Sequence, residues 1–322
     1  MDTCRFAPTT SGRAHPGTLL AGLLAWLDAR SRGARIVLRL EDLDRQRCRP
    51  EFSQGLIDDL AWFGLDWDNV QHQSDQGQAH AGALDALAAG GVLYPSRLSR
   101  AQIAAGGRRA PDGGWAYDNR ERGTALPEAG WRSCDLPLRV RLPEGRQRPV
   151  DEGGLDLAQD PAAAFGDPVV RNRAGEVAYH LAVVVDDHRA GVTRVVRGRD
   201  LASASATQAA LRSRLGLPDP VYRHHLLLLE PAATGQEAEK LAKCHGSVAA
   251  DALRRTLSAA DVCGFLAWCA SLRPDPGPAT PRQLLPNFTW DQVGREDVAV
   301  AWDGRRLRRI EVVPGREMGR GV

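Results

Sequence analysis

The sequence predicts an α/β protein with a parallel sheet, an inserted subdomain and a short, mostly helical C-terminal region. Three observations predict it. Apolar segments alternate between strand-like and helix-like spacing over the first ninety residues and again after residue 166, an order that favours parallel strands joined by helices. Between them, residues 95–165 turn rich in Arg, Gly and Pro, with only short extended pieces such as Leu136 to Leu142. Beyond Ser247 the spacing is mostly helical, with a Pro-rich break at Pro274 to Pro281. The expected division is therefore 1–94 and 166–247 as two halves of one α/β domain, 95–165 as the insert, and 248–322 as the C-terminal region.

The chain begins with a short strand that enters the turn Arg5-Phe6-Ala7-Pro8-Thr9-Thr10-Ser11-Gly12-Arg13-Ala14-His15-Pro16-Gly17-Thr18. Leu19, Leu20, Leu23, Leu24, Trp26 and Leu27 follow with helical spacing, so Thr18 or a neighbour should cap a helix whose first N–H groups face the turn. That geometry binds phosphate. Gly17 lets a ligand approach the backbone, and the His15 imidazole can donate to a phosphate oxygen without a full charge. A plain strand-to-helix turn would use the same residues, so the turn alone does not decide the matter.

Arg35 to Leu40 reads as the next strand and ends in Glu41-Asp42-Leu43-Asp44, where open α/β sheets bind ligands. Pro50 opens a helix whose Phe52, Leu56, Leu60 and Phe63 form an apolar stripe. Another helix spans about Asp75 to Ala89 and stops at Gly90-Gly91. After the insert, Asp167 to Arg171, Tyr179 to Val185 and Val192 to Arg197 read as strands, with the run Leu181 to Val185 suited to a buried central one. A helix is expected from about Ser205 to Leu215, then an apolar run from Tyr222 to Glu230 and a polar loop ending in Lys240 and Lys243.

At 322 residues and 43% hydrophobic content, the chain can bury a large core. The formal charge is only +2, which excludes a basic tail that grips nucleic acid indiscriminately. Arginines do concentrate locally, eleven against six acids from Arg97 to Arg148 and seven against two from Arg189 to Arg223, and those stretches are the places to expect phosphate contacts. The 42 basic residues include only two lysines, Lys240 and Lys243, which suggests that a compact ammonium is needed at that one place. Six cysteines form no CxxC or CxC pair, so neither a disulfide framework nor a structural zinc is expected. With no signal-like or membrane-length apolar run, the expected location is the cytoplasm. The sequence lacks GxxxxGK[ST], GxGxxG after a strand, and GxSxG, which argues against P-loop, dinucleotide-binding and α/β-hydrolase chemistry. Asp186-Asp187-His188 could suggest a metal, but three consecutive residues at a strand end cannot all face one ion, so hydrogen bonding and turn formation are their expected roles.

Together these motifs resemble the class I glutamyl-tRNA synthetases. RFAPTTSGRAHPGT resembles the HIGH signature, LRLEDLD the LRIEDxD strand end, AYHLAVVVDD and GVTRVVRGRDL the amino-acid pocket segments, and EKLAKCHGS the KMSKS loop, all in the family's order over residues 1 to about 247. Only 75 residues follow the lysine loop, so the short paralogues without a large anticodon-binding domain fit better than the full-length enzymes.

The resemblance implies a Rossmann-like (HUP-type) synthetase fold, ATP with Mg²⁺ on the nucleotide, and activation of L-glutamate without tRNA, followed by transfer to queuosine in the anticodon loop of tRNA(Asp). The same turn motifs leave open an adenylate-forming paralogue with another amino acid or acceptor, or a catalytically silent RNA-binding one. Carried over residue by residue, the resemblance assigns glutamate binding to Arg5, Ala7, Thr9, Glu41, a buried Tyr179 and Arg197. It assigns ATP to Pro8, Gly12, His15, Gly17, Thr18 and Lys243, and catalysis to His15, Gly17, Lys240 and Lys243. It implies no membrane or DNA partner, and a monomer. Two departures stand out. Where the short paralogues carry a Cys-x-Cys pair and a Tyr-x-x-x-Cys for zinc, this chain has Ser96, Leu98, Tyr117 and Glu121, so zinc is not expected and packing of Trp115 and Trp131 should hold the insert instead. Ala242 stands where the lysine loop usually has Ser.

Overall fold

The computed structural model describes residues 2–230 and 248–310, and the backbone of Glu239 and Lys240. The chain alternates strands β1 (Thr3–Phe6), β2 (Arg35–Leu40) and β3 (Asn69–His72) with helices α1 (Pro16–Ser31) and α2 (Pro50–Trp62), and α3 (Gly77–Ala89) follows. Next come β4 (Leu93–Pro95), α4 (Arg100–Ala105), β5 (Leu138–Val140), α5 (Pro161–Ala164), β6 (Val169–Arg171), α6 (Tyr179–Arg189), β7 (Arg194–Gly198), α7 (Ala204–Leu215), β8 (Val221–His225), β9 (Leu228–Glu230) and β10 (Glu239–Lys240). The C-terminal part is α8 (Ala250–Leu253), α9 (Ala259–Cys269), α10 (Pro281–Leu284), β11 (Val298–Trp302) and β12 (Leu307–Ile310).

Five strands form the parallel sheet in the order β3-β2-β1-β7-β8. β1 sits at its centre: the chain runs outward from it through β2 to β3, later returns to place β7 on the other side of β1, and runs outward again to β8, which makes a topological switch point at the C-terminal ends of β1 and β7. Helix α1 packs beneath. It is apolar almost all the way round, as a helix enclosed by sheet and C-terminal helices must be, and Leu19, Leu20, Leu23, Leu24 and Leu27 are essentially inaccessible. Each such leucine contributes about 2 kcal/mol of burial. β4, β5 and β6 make a separate three-stranded antiparallel sheet, and its core joins α3, α6 and α7 through Leu84, Leu138, Leu181 and Leu211.

Four expectations need correction. Tyr179 to Val185 is not a strand but the first turns of α6. A helix buried on all sides and a central strand both read as an unbroken apolar run, and the β-branched Val183, Val184 and Val185 tilted the sequence reading toward the strand. The run from Tyr222 to Glu230 is two strands in two different sheets, broken at Leu226 and Leu227. The C-terminal region, mostly helical as expected, also carries the hairpin β11–β12, which lies beside β9. Finally, the stretch Arg189 to Arg223 is not one arginine surface, because Arg194, Arg197 and Arg212 are buried.

Candidate active site

A cleft of about 1500 Å³ opens at the C-terminal ends of β1, β2 and β7. Pairing of β1 with β2 continues past the strands: Glu41 N–H donates to Pro8 O at 3.0 Å and Thr10 N–H to Glu41 O at 3.1 Å. This ties the Pro8 to Thr10 turn against the acidic strand end. His15 is the N-cap of α1 rather than Thr18, because Pro16 occupies the first helical position and the His15 Nδ1 accepts the Thr18 N–H at 3.3 Å. That acceptor role puts the proton of the neutral ring on Nε2, the atom that can donate to a phosphate.

Arg5, Ala7, Pro8, Thr9, His15, Gly17, Thr18, Glu41, Tyr179 and Arg197 all line the one cleft. Gly12 does not. Tyr179 is not buried as expected: it starts α6 with 37% of its surface exposed, on the cleft wall. Lys243 lies outside the described residues, as does the side chain of Lys240, whose backbone pairs with Leu229.

Behind the wall, one carboxylate gathers three guanidinium groups. Asp187 accepts from Arg39 Nη1 at 2.6 Å, Arg212 Nη2 at 3.2 Å and Arg5 Nε at 3.4 Å, all buried. Burial works to raise its pKa, yet Arg39, Arg5 and Arg212 hold it down to about 2. Arg39 also reaches Glu41 Oε1 at 3.5 Å, and Arg5 donates to Val196 O at 3.3 Å. Burial pushes the Glu41 carboxyl up, against the pull of Arg39 and Arg5. The hydrogen bonding expected of the triplet is made by its two aspartates, on a helix instead of a strand end: beside the Asp187 cluster, Asp186 accepts from Gln73 at 2.7 Å and pairs with His80 at 2.7 Å.

Arg197 differs from Arg5 and Arg39. It is 5% exposed, and its hydrogen bonds go to neutral groups: Ser205 Oγ at 2.7 Å, Gln208 Oε1 at 2.9 Å and His224 Nε2 at 3.1 Å. No carboxylate among the described residues pairs with it. Burial lowers its pKa, as it must for a cation without a counter-charge. Burial and Arg197 together keep the nearby His180 neutral, with a pKa of about 4.

The family described as tRNA synthetases class I (E and Q), catalytic domain, matches residues 3–255. The chain belongs to that family. It is 39% identical over 317 residues to a glutamyl-Q tRNA(Asp) synthetase of Symbiobacterium thermophilum, covering 92% of this chain and 95% of that one. It is likewise 39% identical over 297 residues to one of Nitratidesulfovibrio vulgaris, covering 87% and 90%. The glutamate-tRNA synthetase structure from Elizabethkingia anophelis superposes with a TM-score of 0.73 at 20% identity, over 94% of this chain and 68% of that one, which shows the shared class I synthetase fold.

The four side chains that stand where the resemblance would put zinc ligands, Ser96, Leu98, Tyr117 and Glu121, do not fit a metal. Glu121 accepts from Ser96 Oγ at 2.6 Å, the Arg97 N–H at 2.9 Å and Tyr117 OH at 3.3 Å. Arg139 donates to Ser96 Oγ at 3.1 Å and stacks over the Tyr117 ring at 3.9 Å. These donors converge on one carboxylate beside a buried cation, with no sulfur or imidazole among the four matching side chains. Of the two tryptophans expected to hold residues 95–165, Trp131 packs against the cluster of Leu84, Leu138, Leu181 and Leu211 and donates to Asp85 at 2.8 Å, whereas Trp115 is 41% exposed beneath Arg109 and belongs to no core cluster among the described residues.

Arg39, Arg212, Gln208 and His224 are among the site-building residues that escape sequence reasoning. Arg39 did leave a signal, a lone charge between Leu38 and Leu40 in an apolar strand, which demands a buried partner.

Proposed function

We propose that the protein carries out the reaction of the glutamyl-Q tRNA(Asp) synthetases it resembles, as a cytoplasmic monomer. It activates L-glutamate with ATP and Mg²⁺ in the absence of tRNA, then transfers glutamate to queuosine in the anticodon loop of tRNA(Asp). The observation that carries this reading is Arg197, a buried guanidinium on the cleft wall with only neutral partners among the described residues, which a dicarboxylic amino acid would neutralise.

In the first step a glutamate α-carboxylate oxygen attacks the α-phosphorus of ATP, the bond to the bridging oxygen breaks, and pyrophosphate leaves. No covalent enzyme nucleophile is needed, so positioning and charge stabilisation supply the catalysis. Arg5 and Arg197 hold carboxylate, Tyr179 donates its hydroxyl, and Glu41 takes the ammonium. Ala7 and Thr9 shape the floor. His15 through Nε2, the first turn of α1 at Gly17 and Thr18, the Pro8 to Gly12 turn, and Lys240 with Lys243 hold the triphosphate. In the second step a queuosine hydroxyl attacks the adenylate carbonyl and AMP departs. An unstacked base of a single-stranded loop can enter a cleft of this size.

The test is pyrophosphate exchange with each amino acid, then labelled glutamate offered to queuosine-containing tRNA(Asp), the same tRNA without queuosine, and tRNA(Glu). Exchange with glutamate alone and labelling of the first tRNA alone are expected. Equal labelling of the first two, or preference for tRNA(Glu), rejects the modified-base acceptor, and no glutamate-dependent exchange rejects the activation step. Lys243→Ala should slow adenylation on the order of 10²-fold or more, as loss of a transition-state contact does.

A further inference from the structure

Arg197 owes its orientation to a chain of buried groups that begins outside the parallel sheet. The segment at Val150 to Glu152, between β5 and β6, runs along the outer edge of β8, where Tyr222 N–H donates to Val150 O at 2.8 Å and Glu152 N–H to Tyr222 O at 2.9 Å. This docking places Asp151 against His224. The side chains of Asp151 and His224 are each 1% exposed, and His224 Nδ1 lies 2.6 Å from Asp151 Oδ2. The other face of the imidazole, Nε2, receives the Nε–H of Arg197 at 3.1 Å.

A guanidinium N–H can only donate, so His224 Nε2 must be the acceptor and the ring proton must sit on Nδ1, directed at Asp151. Both the opposite tautomer and the imidazolium would set an N–H against the Arg197 N–H. Asp151 is itself anchored, its Oδ1 accepting from Gly153 N–H at 2.7 Å and its Oδ2 from His224 N–H at 3.0 Å. Burial, followed by Arg197, keeps His224 on the neutral side despite the carboxylate beside it. The Tyr222 ring stacks on His224 with centroids 5.8 Å apart and lies under Arg197 at 4.8 Å.

We infer that His224 and Asp151 are positioning residues for the amino-acid pocket: Asp151 fixes the His224 tautomer, and His224 fixes the guanidinium of Arg197 so that its remaining N–H groups meet the substrate carboxylate. The inference rests on the glutamate reading above. Ser205 and Gln208 already hold one N–H on each terminal nitrogen, so the third bond at Nε removes the last rotation, and without it a buried N–H is left unsatisfied.

The experiment compares glutamate-dependent pyrophosphate exchange in wild type, Arg197→Ala, His224→Leu, His224→Gln and Asp151→Asn, with ¹⁵N NMR of the histidine rings. His224→Leu should raise the KM for glutamate about ten-fold or more, with the KM for ATP within about two-fold. Gln can accept from Arg197 and donate to Asp151 at once, so His224→Gln should recover most of the loss. Asp151→Asn, which keeps an acceptor but no charge, should raise the glutamate KM only a few-fold. The NMR signature expected for His224 at neutral pH is the Nδ1–H tautomer. A glutamate KM unchanged in His224→Leu, a parallel rise in both KM values that Gln does not rescue, or the Nε2–H tautomer overturns the relay. Should His224→Leu fail to fold, Asp151→Asn and the tautomer decide. An unchanged glutamate KM in Arg197→Ala would instead overturn the pocket assignment itself.

Discussion

Asp187 behind the cleft and Glu121 in the arginine-rich segment are each the carboxylate on which a region converges, and they are held in opposite ways. Asp187 is buried and meets three buried cations, while Glu121 is partly exposed and meets a hydroxyl, a phenol and a backbone N–H. Asp187 balances charge, so its worth depends on its ionisation. Glu121 collects donors, so its worth depends mainly on having two acceptor oxygens. A site that must hold charged substrates needs the first kind of tie, because unpaired buried arginines would otherwise repel one another. The segment around Ser96 and Tyr117, which has no sulfur ligand at those positions, closes with the second.

The largest expected effect comes from breaking the first tie. Asp187→Asn leaves Arg5, Arg39 and Arg212 without their shared counter-charge and should destabilise the fold by about 3–5 kcal/mol, the cost typical of breaking a buried pair, read as a fall in the urea midpoint. A loss under about 1 kcal/mol would mean that the cluster is not a charge balance.

Acid should produce a related but smaller effect. The Asp187 carboxyl is depressed from 3.8 to about 2, so its contribution is fully present above pH 4 and is lost as the pH falls toward 2. The shift corresponds to about 2 kcal/mol, which Asp187→Asn should remove from the acid limb of the stability curve. An identical acid limb in the variant would refute the assignment.

Glu121→Gln keeps one acceptor and should cost about 1 kcal/mol, read as a modest fall in thermal stability. The purified protein should also carry no stoichiometric zinc; about one zinc per chain after mild chelation would place the insert in the metal-held class instead. Trp115→Ala should be the mildest change, within about 0.5 kcal/mol, because the ring is exposed and its one described ring partner is the exposed Arg109.

Local patterns were enough to show the parallel strands around β1 and β2, the turn at His15 and the acidic strand end at Glu41, because strand period, helix starts and strand-end carboxylates are short-range signals. The same local logic misassigned Tyr179 to Val185, since an enclosed helix and a central strand bury the same run of side chains and only the neighbours α3, β6 and α7 distinguish them. It also counted Arg194 and Arg212 in an arginine-rich stretch expected to contact phosphate, although both are buried. Composition records that an arginine is present, not what faces it: Arg194 pairs with Asp28, 166 residues away, and Arg212 with Asp187 on the neighbouring helix α6. The sequence by itself determined which residue types are available for phosphate and carboxylate at the strand ends. The tertiary structure alone decided that Arg5 is charge-paired while Arg197 is left to neutral partners, because burial and long-range pairing set whether a guanidinium is satisfied by the protein or by its ligand.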